Sequence, residues 1–176
     1  MAGAGEGRPR VFGFAGWSGA GKTTLIVKII EHLAARGYKV SLIKHAHHDF
    51  DIDTPGKDSH RHRMAGAHEV LVSSRNRFAL IRELRGAPEL GLHDALERLA
   101  PCDLILIEGY KRERVPKMEV WRAEVGKPLL FGLDPEIIAV ATDDPLADAG
   151  VRRFGLGDVA GISDFVLQHA APVLRN

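Results

Sequence analysis

A chain of 176 residues with 45% hydrophobic and 27% charged content has room for one domain with a real core, and not comfortably for two. Lys and Arg number 24 against 23 Asp and Glu, a formal net charge of +1, so no overall charge favours wholesale nucleic-acid binding. The single cysteine, Cys102, excludes an intramolecular disulfide, and no uninterrupted apolar run reaches membrane-spanning length. These features read as a cytoplasmic protein in a reducing compartment.

Residues 1–9 are glycine-rich and polar, with no apolar leader-like stretch, and read as a flexible tail. Val11, Phe12, Phe14 and Ala15 then form a short apolar run suited to a buried parallel strand. The next eight residues, Gly16-Trp17-Ser18-Gly19-Ala20-Gly21-Lys22-Thr23, match the phosphate-binding pattern G-x-x-x-x-G-K-[ST] at every fixed position. Leu25, Ile26, Ile29, Ile30 and Leu33 follow at helical spacing, with Arg36-Gly37 as a stop. Strand, glycine-rich turn and helix is the order this chemistry needs. The unpaired amides and positive dipole end of a helix face the turn, and glycines let successive N–H groups point inward at a phosphate chain. Lys22 is expected to reach the β and γ phosphates and the Thr23 hydroxyl to hold Mg²⁺. A dinucleotide fingerprint fails, because Thr24 stands where its third glycine belongs.

Residues 39–44 read as a second strand, completing a strand-helix-strand crossover of a parallel sheet. Residues 45–59, HAHHDFDIDTPGKDS, leave its carboxyl end. Asp49, Asp51 and Asp53 alternate there and would line one side of an extended segment, repelling one another unless a cation or basic group lies near. Because ligands of open α/β sheets sit at strand carboxyl ends, Asp49 is read as an Mg²⁺ residue, direct or through water, against the alternative of a solvated acidic loop. A calcium loop is excluded, since Thr54 and His60 stand where glycine and glutamate are needed. Five of nine histidines fall between 45 and 62, but without cysteines or H-x-x-x-H spacing to make a transition-metal site the first choice.

A short helix is expected from Asp58 or Ser59 to Ala67, capped by one of those two side chains, followed by strands at 68–74 and 76–84. Arg61, Arg63, Arg75 and Arg77 make this region locally basic, fitting either an anionic ligand or a solvated rim. A helix begins at Pro88 and stripes Leu92, Ala95, Leu96 and Leu99. Residues 102–108 form a buried strand ending on Glu108, where a carboxylate at a strand tip orients Mg²⁺ or an attacking water. Residues 117–122 alternate like a further strand, and 136–141 form another, delivering Thr142-Asp143-Asp144 at its tip as either a guanine-reading acid or a plain turn. Residues 152–154 close the sheet, and Ile162, Phe165, Val166 and His169 stripe a terminal helix.

Four stretches together, GWSGAGKTTL from Gly16, IKHAHHDFDIDTPGKDSHRHRMAGA from Ile43, LILIEGYK from Leu104 and AVATDDP from Ala139, resemble the MobB family of molybdopterin-guanine dinucleotide biosynthesis adapter proteins. The resemblance runs over nearly the whole chain, and the histidine-aspartate segment is its most specific part. It implies a P-loop GTP-binding protein with weak hydrolysis, homodimeric, working with the molybdenum cofactor guanylyltransferase and molybdopterin-handling proteins. On that likeness Gly16, Ser18, Gly19, Ala20, Gly21, Lys22, Thr23 and Thr24 hold GTP. Thr23, Asp49 and Glu108 stand at Mg²⁺, Lys22, Asp49 and Glu108 serve hydrolysis, and Thr142 and Asp143 approach the base. His45, His47, Lys57 and Asp58 are candidates for a second ligand, molybdopterin or its guanine dinucleotide.

The expected fold is the α/β three-layer sandwich of P-loop NTPases over residues 10–176. Its sheet is mostly parallel with helices on both faces, and an antiparallel extension is expected around 68–84 and 116–122. No arginine or glutamine is placed by the motifs to clamp a transition state, so hydrolysis should be slow. Two rival readings stay open: a small-molecule P-loop kinase with a lid at residues 111–114, and a metal-delivery GTPase holding nickel or zinc at His45, His47 and His48.

Overall fold

A computed structural model of the chain describes residues 9–46, 50–110, 112–146 and 150–173. In chain order its elements are β1 (Arg10–Ala15), α1 (Lys22–Ala35), β2 (Val40–Lys44), α2 (Asp58–Met64), β3 (Glu69–Ser73), β4 (Phe78–Arg82), α3 (Leu92–Glu97), β5 (Leu104–Glu108), β6 (Lys117–Val120), β7 (Ile137–Ala141), β8 (Arg152–Phe154), α4 (Val159–His169) and β9 (Ala171–Pro172), with a 3-10 turn at Ala123–Val125. They fall into two compact units, Met1–His45 with Leu92–Asn176, and Ala46–Gly91.

The larger unit is built on a seven-stranded sheet of order β2-β5-β1-β6-β7-β8, parallel throughout, with β9 antiparallel to the start of β1. Residues 11–15 of β1 and 104–107 of β5 are apolar or glycine because both faces are covered. Phe12, Phe14, Leu104 and Leu106 pack on one side against Leu25, Ile26, Ile29 and Leu33 of α1 and Ile162 and Val166 of α4. Val11, Ile105 and Ile107 face the other way, against Leu92 of α3 and the flanking Leu96 and Leu99. Helices therefore cover both faces, as the period-2 runs and 3.6-period stripes demand. This is the three-layer P-loop NTPase architecture.

One strand departs from expectation. Residues 117–120 are not part of an antiparallel extension: β6 is a parallel strand in the middle of the sheet, paired with β1 on one side and β7 on the other. Its polar alternation imitates an edge, yet all four residues are buried. The polar side chains are satisfied internally instead. Lys117 Nζ donates to Asp134 Oδ2 at 2.9 Å and to the Glu113 carbonyl at 2.7 Å. The Glu119 carboxylate accepts the Leu130 and Phe131 amides at 2.9 Å. Helix ends also moved. α3 starts at Leu92, after Gly91, and α4 gains a turn from Asp158, whose side chain accepts the Gly161 amide at 2.9 Å. Asp58 is the first residue of α2 rather than its cap, and Lys57 precedes it without a side-chain cap.

In the smaller unit α2 leads into a β3-β4 hairpin, antiparallel as expected, with Glu69 opposite Arg82 and Ser73 opposite Phe78. Its polar centre is Arg63, on α2. The guanidinium donates to Asp53 at 2.9 and 3.1 Å, to Asp51 at 2.5 Å, and to Glu83. The basic group required by the crowded carboxylates is thus a side chain of the same unit, and Arg63 belongs neither to a solvated rim nor to a free anion site. That hydrogen bonding holds the Asp53 carboxyl below its ordinary range and the Arg63 guanidinium further above its own.

Candidate functional site

The loop between β1 and α1 has the backbone its glycines permit. Gly16, Gly19 and Gly21 have φ of 136°, 84° and 94°. At Gly16 the need is double, because a β-carbon there would sit 2.3 Å from the Val120 carbonyl oxygen of β6. Ala20 turns its methyl into the core, 1% exposed, and contributes only backbone to the loop, while Ser18, Thr23 and Thr24 are exposed. The first turn of α1 carries no acid to neutralise its amide end. Lys22 arches over the loop, its ammonium donating to the carbonyls of Gly16 at 2.9 Å and Trp17 at 2.8 Å.

Glu108 meets this loop from the neighbouring strand. Register pairs it with Phe14 of β1 and Lys44 of β2, so its side chain emerges beside the start of α1. The Thr23 hydroxyl donates to Glu108 Oε1 at 2.9 Å. Oε2 is buried with no hydrogen-bond donor among the described residues, and Lys44 Nζ stands 3.6 Å away as an ion pair. A hydroxyl beside a carboxylate with one oxygen lacking a hydrogen-bond donor among the described residues supplies the hard oxygen ligands a magnesium ion takes, so these residues fit such an ion.

His45 lies at the same edge. Its amide donates to the Glu108 carbonyl at 2.8 Å, and its ring tilts against Tyr110 at a centroid distance of 4.6 Å. Gly109 makes this approach feasible, since a β-carbon there would lie 2.8 Å from His45 Cβ. Lys57 and Asp58 are exposed residues of the smaller unit. His47, His48, Asp49 and Lys111 lie outside the described residues, and with them parts of the proposed Mg²⁺, second-ligand, metal-delivery and lid assignments. Among the described residues, the one group of histidines and acids with clustered ligand atoms is His93, Asp94 and Glu97, all exposed on one turn of α3.

On the opposite side of β1, the β7 tip is more occupied than its sequence implies. Thr142 is buried and its hydroxyl accepts the Asp144 amide at 3.1 Å. Asp143 Oδ1 accepts the Leu156 amide at 2.8 Å, and Asp144 Oδ2 the Ala123 amide at 2.8 Å. One oxygen of Asp143 is therefore spent on fixing the loop after β8.

Sequence reasoning missed the collar beside the loop. The Trp17 indole donates to the Pro128 carbonyl at 2.7 Å and the Trp121 indole to the Lys127 carbonyl at 2.9 Å. Lys127 Nζ lies 5.8 Å above the Trp17 ring. Trp17 thus ties residues 127–128 to the phosphate loop, while Trp121 and the two amides held by Glu119 tie residues 127–131 to the β6 segment. Burial pushes the Glu119 carboxyl upward, partly offset by the Leu130 and Phe131 amides. The only sequence signals were a tryptophan inside the loop and an acid in a core strand.

A parallel sheet with G-x-x-x-x-G-K-T between its central strand and a helix, and an acid from the adjoining strand against the threonine, defines a P-loop NTPase fold. Residues 11–143 match the family model described as MobB, molybdopterin guanine dinucleotide synthesis protein B, and the chain belongs to that family. It is 45% identical over 158 residues to the molybdopterin-guanine dinucleotide biosynthesis adapter protein of Escherichia coli strain K12, covering 88% of this chain and 90% of that one. The adapter protein of Haemophilus influenzae is 38% identical over 157 residues, covering 89% and 86%. Among solved structures, the molybdopterin-guanine biosynthesis protein B superposes with a TM-score of 0.69 at 26% identity, covering 90% of this chain and 98% of that one. A MobB homologue from Bacillus stearothermophilus gives 0.66 at 26% identity, covering 90% and 95%.

Proposed function

We propose that this protein binds GTP with Mg²⁺ in the loop of residues 16–23 and acts as an adapter in the attachment of GMP to molybdopterin. The observation that carries the reading is the 2.9 Å contact between Thr23 and Glu108. It joins a helix amide end, the Lys22 ammonium and a strand-tip acid at one place. The names of the relatives support the pathway, and the guanylyltransferase and molybdopterin-handling proteins are the partners the reading requires. Homodimerisation and a cytoplasmic location belong to the same proposal. Among the described residues no helix is long and apolar enough to cross a membrane.

The chemistry asked of the residues is positioning. Amides of Gly19, Gly21 and Lys22 cradle the phosphates, and the Lys22 ammonium exchanges its bonds to the Gly16 and Trp17 carbonyls for phosphate oxygens. Thr23 and Glu108 would hold Mg²⁺, with Asp49 as a further donor; when bound, it neutralises charge on the terminal phosphates. Glu108 also orients the water for a slow hydrolysis, and Thr142 with the free oxygen of Asp143 meets the base edge. His45, His47, Lys57 and Asp58 remain the candidates for the pterin ligand.

The test is a titration of GTP, GDP and ATP into wild type and Lys22→Ala, with and without the guanylyltransferase. The expected result is guanine preference, a partner-dependent affinity, and a loss of roughly 10- to 100-fold in Lys22→Ala, the weight of a charged hydrogen-bonding group. Equal affinity for ATP and GTP removes the guanine assignment, and no partner effect removes the adapter role.

A further inference from the structure

An arginine reaches the phosphate loop from the segment that follows β6. Arg122 lies two residues beyond the end of β6, and a β-carbon built on Gly21 would lie 3.5 Å from its Nε and 3.8 Å from its Nη2. Gly21 caps α1 and is the last residue before Lys22. A guanidinium therefore stands against the very turn that gathers the phosphate-facing amides. Its ion-pair partner among the described residues is the exposed Glu124, with Nη1 and Oε1 3.6 Å apart, and the arginine side chain is 39% exposed.

Its backbone is braced on both sides. Before it, the Trp121 amide donates to the Ala141 carbonyl at 3.1 Å. After it, Asp144 from the β7 tip accepts the Ala123 amide at 2.8 Å. A residue whose two neighbours are held by β7 and its tip presents its side chain with little backbone freedom to lose on binding.

Sheet order says which part of a nucleotide it meets. Glu108 and Thr23, the cation donors, lie on the β5 side of β1, whereas β6 and β7 lie on the opposite side. Cation and terminal phosphate belong on the first side and the nucleoside on the second, so a group at the β6 tip falls between them. We infer that Arg122 binds the inner, α and β, phosphates of a guanine nucleotide, and is a ground-state affinity residue rather than a clamp on the transferring γ phosphate. The inference rests on the nucleotide-binding function proposed above.

The test compares fluorescent GTP and GDP analogues on wild type, Arg122→Ala, Arg122→Lys and Glu124→Gln, with single-turnover hydrolysis of bound GTP. Arg122→Ala is expected to weaken GTP and GDP equally, by about 10- to 100-fold, with the hydrolysis rate of bound GTP unchanged. Arg122→Lys should recover part of the affinity, since charge returns without the fork. Glu124→Gln should tighten both nucleotides by roughly two- to fivefold, the weight of a surface ion pair. A misfolded variant cannot produce that gain. A loss confined to GTP, unchanged affinity in Arg122→Ala, or weaker binding in Glu124→Gln overturns the assignment while wild-type binding leaves the loop's function standing. Wild type that binds neither nucleotide overturns both.

Discussion

Replacing Gly16 by alanine tests whether the loop is shaped by its own dihedrals or by the strand behind it. The new β-carbon would lie 2.3 Å from the Val120 carbonyl oxygen, 3.3 Å from its carbon and 3.5 Å from its nitrogen, at φ 136°. All three are backbone atoms of a strand pinned between β1 and β7, with Val120 itself fully buried. They cannot swing aside as a side chain would. Overpacking of this kind costs about 1–3 kcal/mol and an unfavourable dihedral about 1–3 kcal/mol, giving about 2–6 kcal/mol against a typical total of 5–15. Gly19→Ala is the internal control. Gly19 also has positive φ, 84°, but nothing lies within 4 Å of its β-carbon position. Its cost is the left-handed strain alone, about 1–2 kcal/mol, lessened by about 0.4–1 kcal/mol from a stiffer unfolded chain. Urea unfolding of the three proteins separates the terms: Gly16→Ala should lose several times what Gly19→Ala loses. Equal losses, or nucleotide affinity retained in Gly16→Ala, would refute the close approach of strand and loop as the reason for this glycine.

Acid stability should report the Arg63 cluster. Asp53 titrates below its ordinary 3.8 in the folded protein, so between those two values the unfolded chain binds more protons and stability rises with pH. The contribution is complete above the unfolded value and disappears as pH falls through the folded one; Asp53→Asn should flatten that acid limb in a pH series of urea midpoints, and an unchanged limb would remove the ion pair as its cause. Glu119 carries the opposite sign, because burial raises it from 4.5 and its contribution fades as pH climbs through the raised value. Glu108→Gln should leave the fold intact but abolish the Mg²⁺-dependent part of GTP affinity, read by titration with the metal present and after chelation; an unaltered metal effect takes Glu108 out of the cation site.

What the sequence made legible was local. The strand-loop-helix unit and the acid ending β5 are each written in contiguous residues whose spacing has one economical fold, and they lie where the motif implies. Long-range satisfaction was not legible. Lys117 and Glu119 alternate with Met118 and Val120 as on a half-wet strand, and nothing in that string says that Asp134 and the Leu130 and Phe131 amides complete them. Arg63 looked like one of several surface arginines because its carboxylate partners come from 10, 12 and 20 positions away. Asp143 was legible as a tip acid, but not that an amide from beyond the next strand takes one of its oxygens.

These two kinds of information meet at β6. A central strand carrying a lysine and a glutamate is a poor choice if cohesion were its only task, because buried ionisable groups bring desolvation costs that apolar side chains avoid. Here each polar group holds chain outside the strand. Lys117 fixes Asp134 ahead of β7, and Glu119 fixes residues 130 and 131. The Val120 carbonyl closes on Gly16, and Arg122 emerges against Gly21. Trp17 then ties the loop back to Pro128, so strand, collar and phosphate loop form a closed circuit of contacts. The loop's geometry is thus held from the β6 side as well as from the β5 side, where Thr23 meets Glu108. Under the function proposed above, a site preorganised on both flanks, with Arg122 against Gly21, would serve retention of a nucleotide more than rapid turnover.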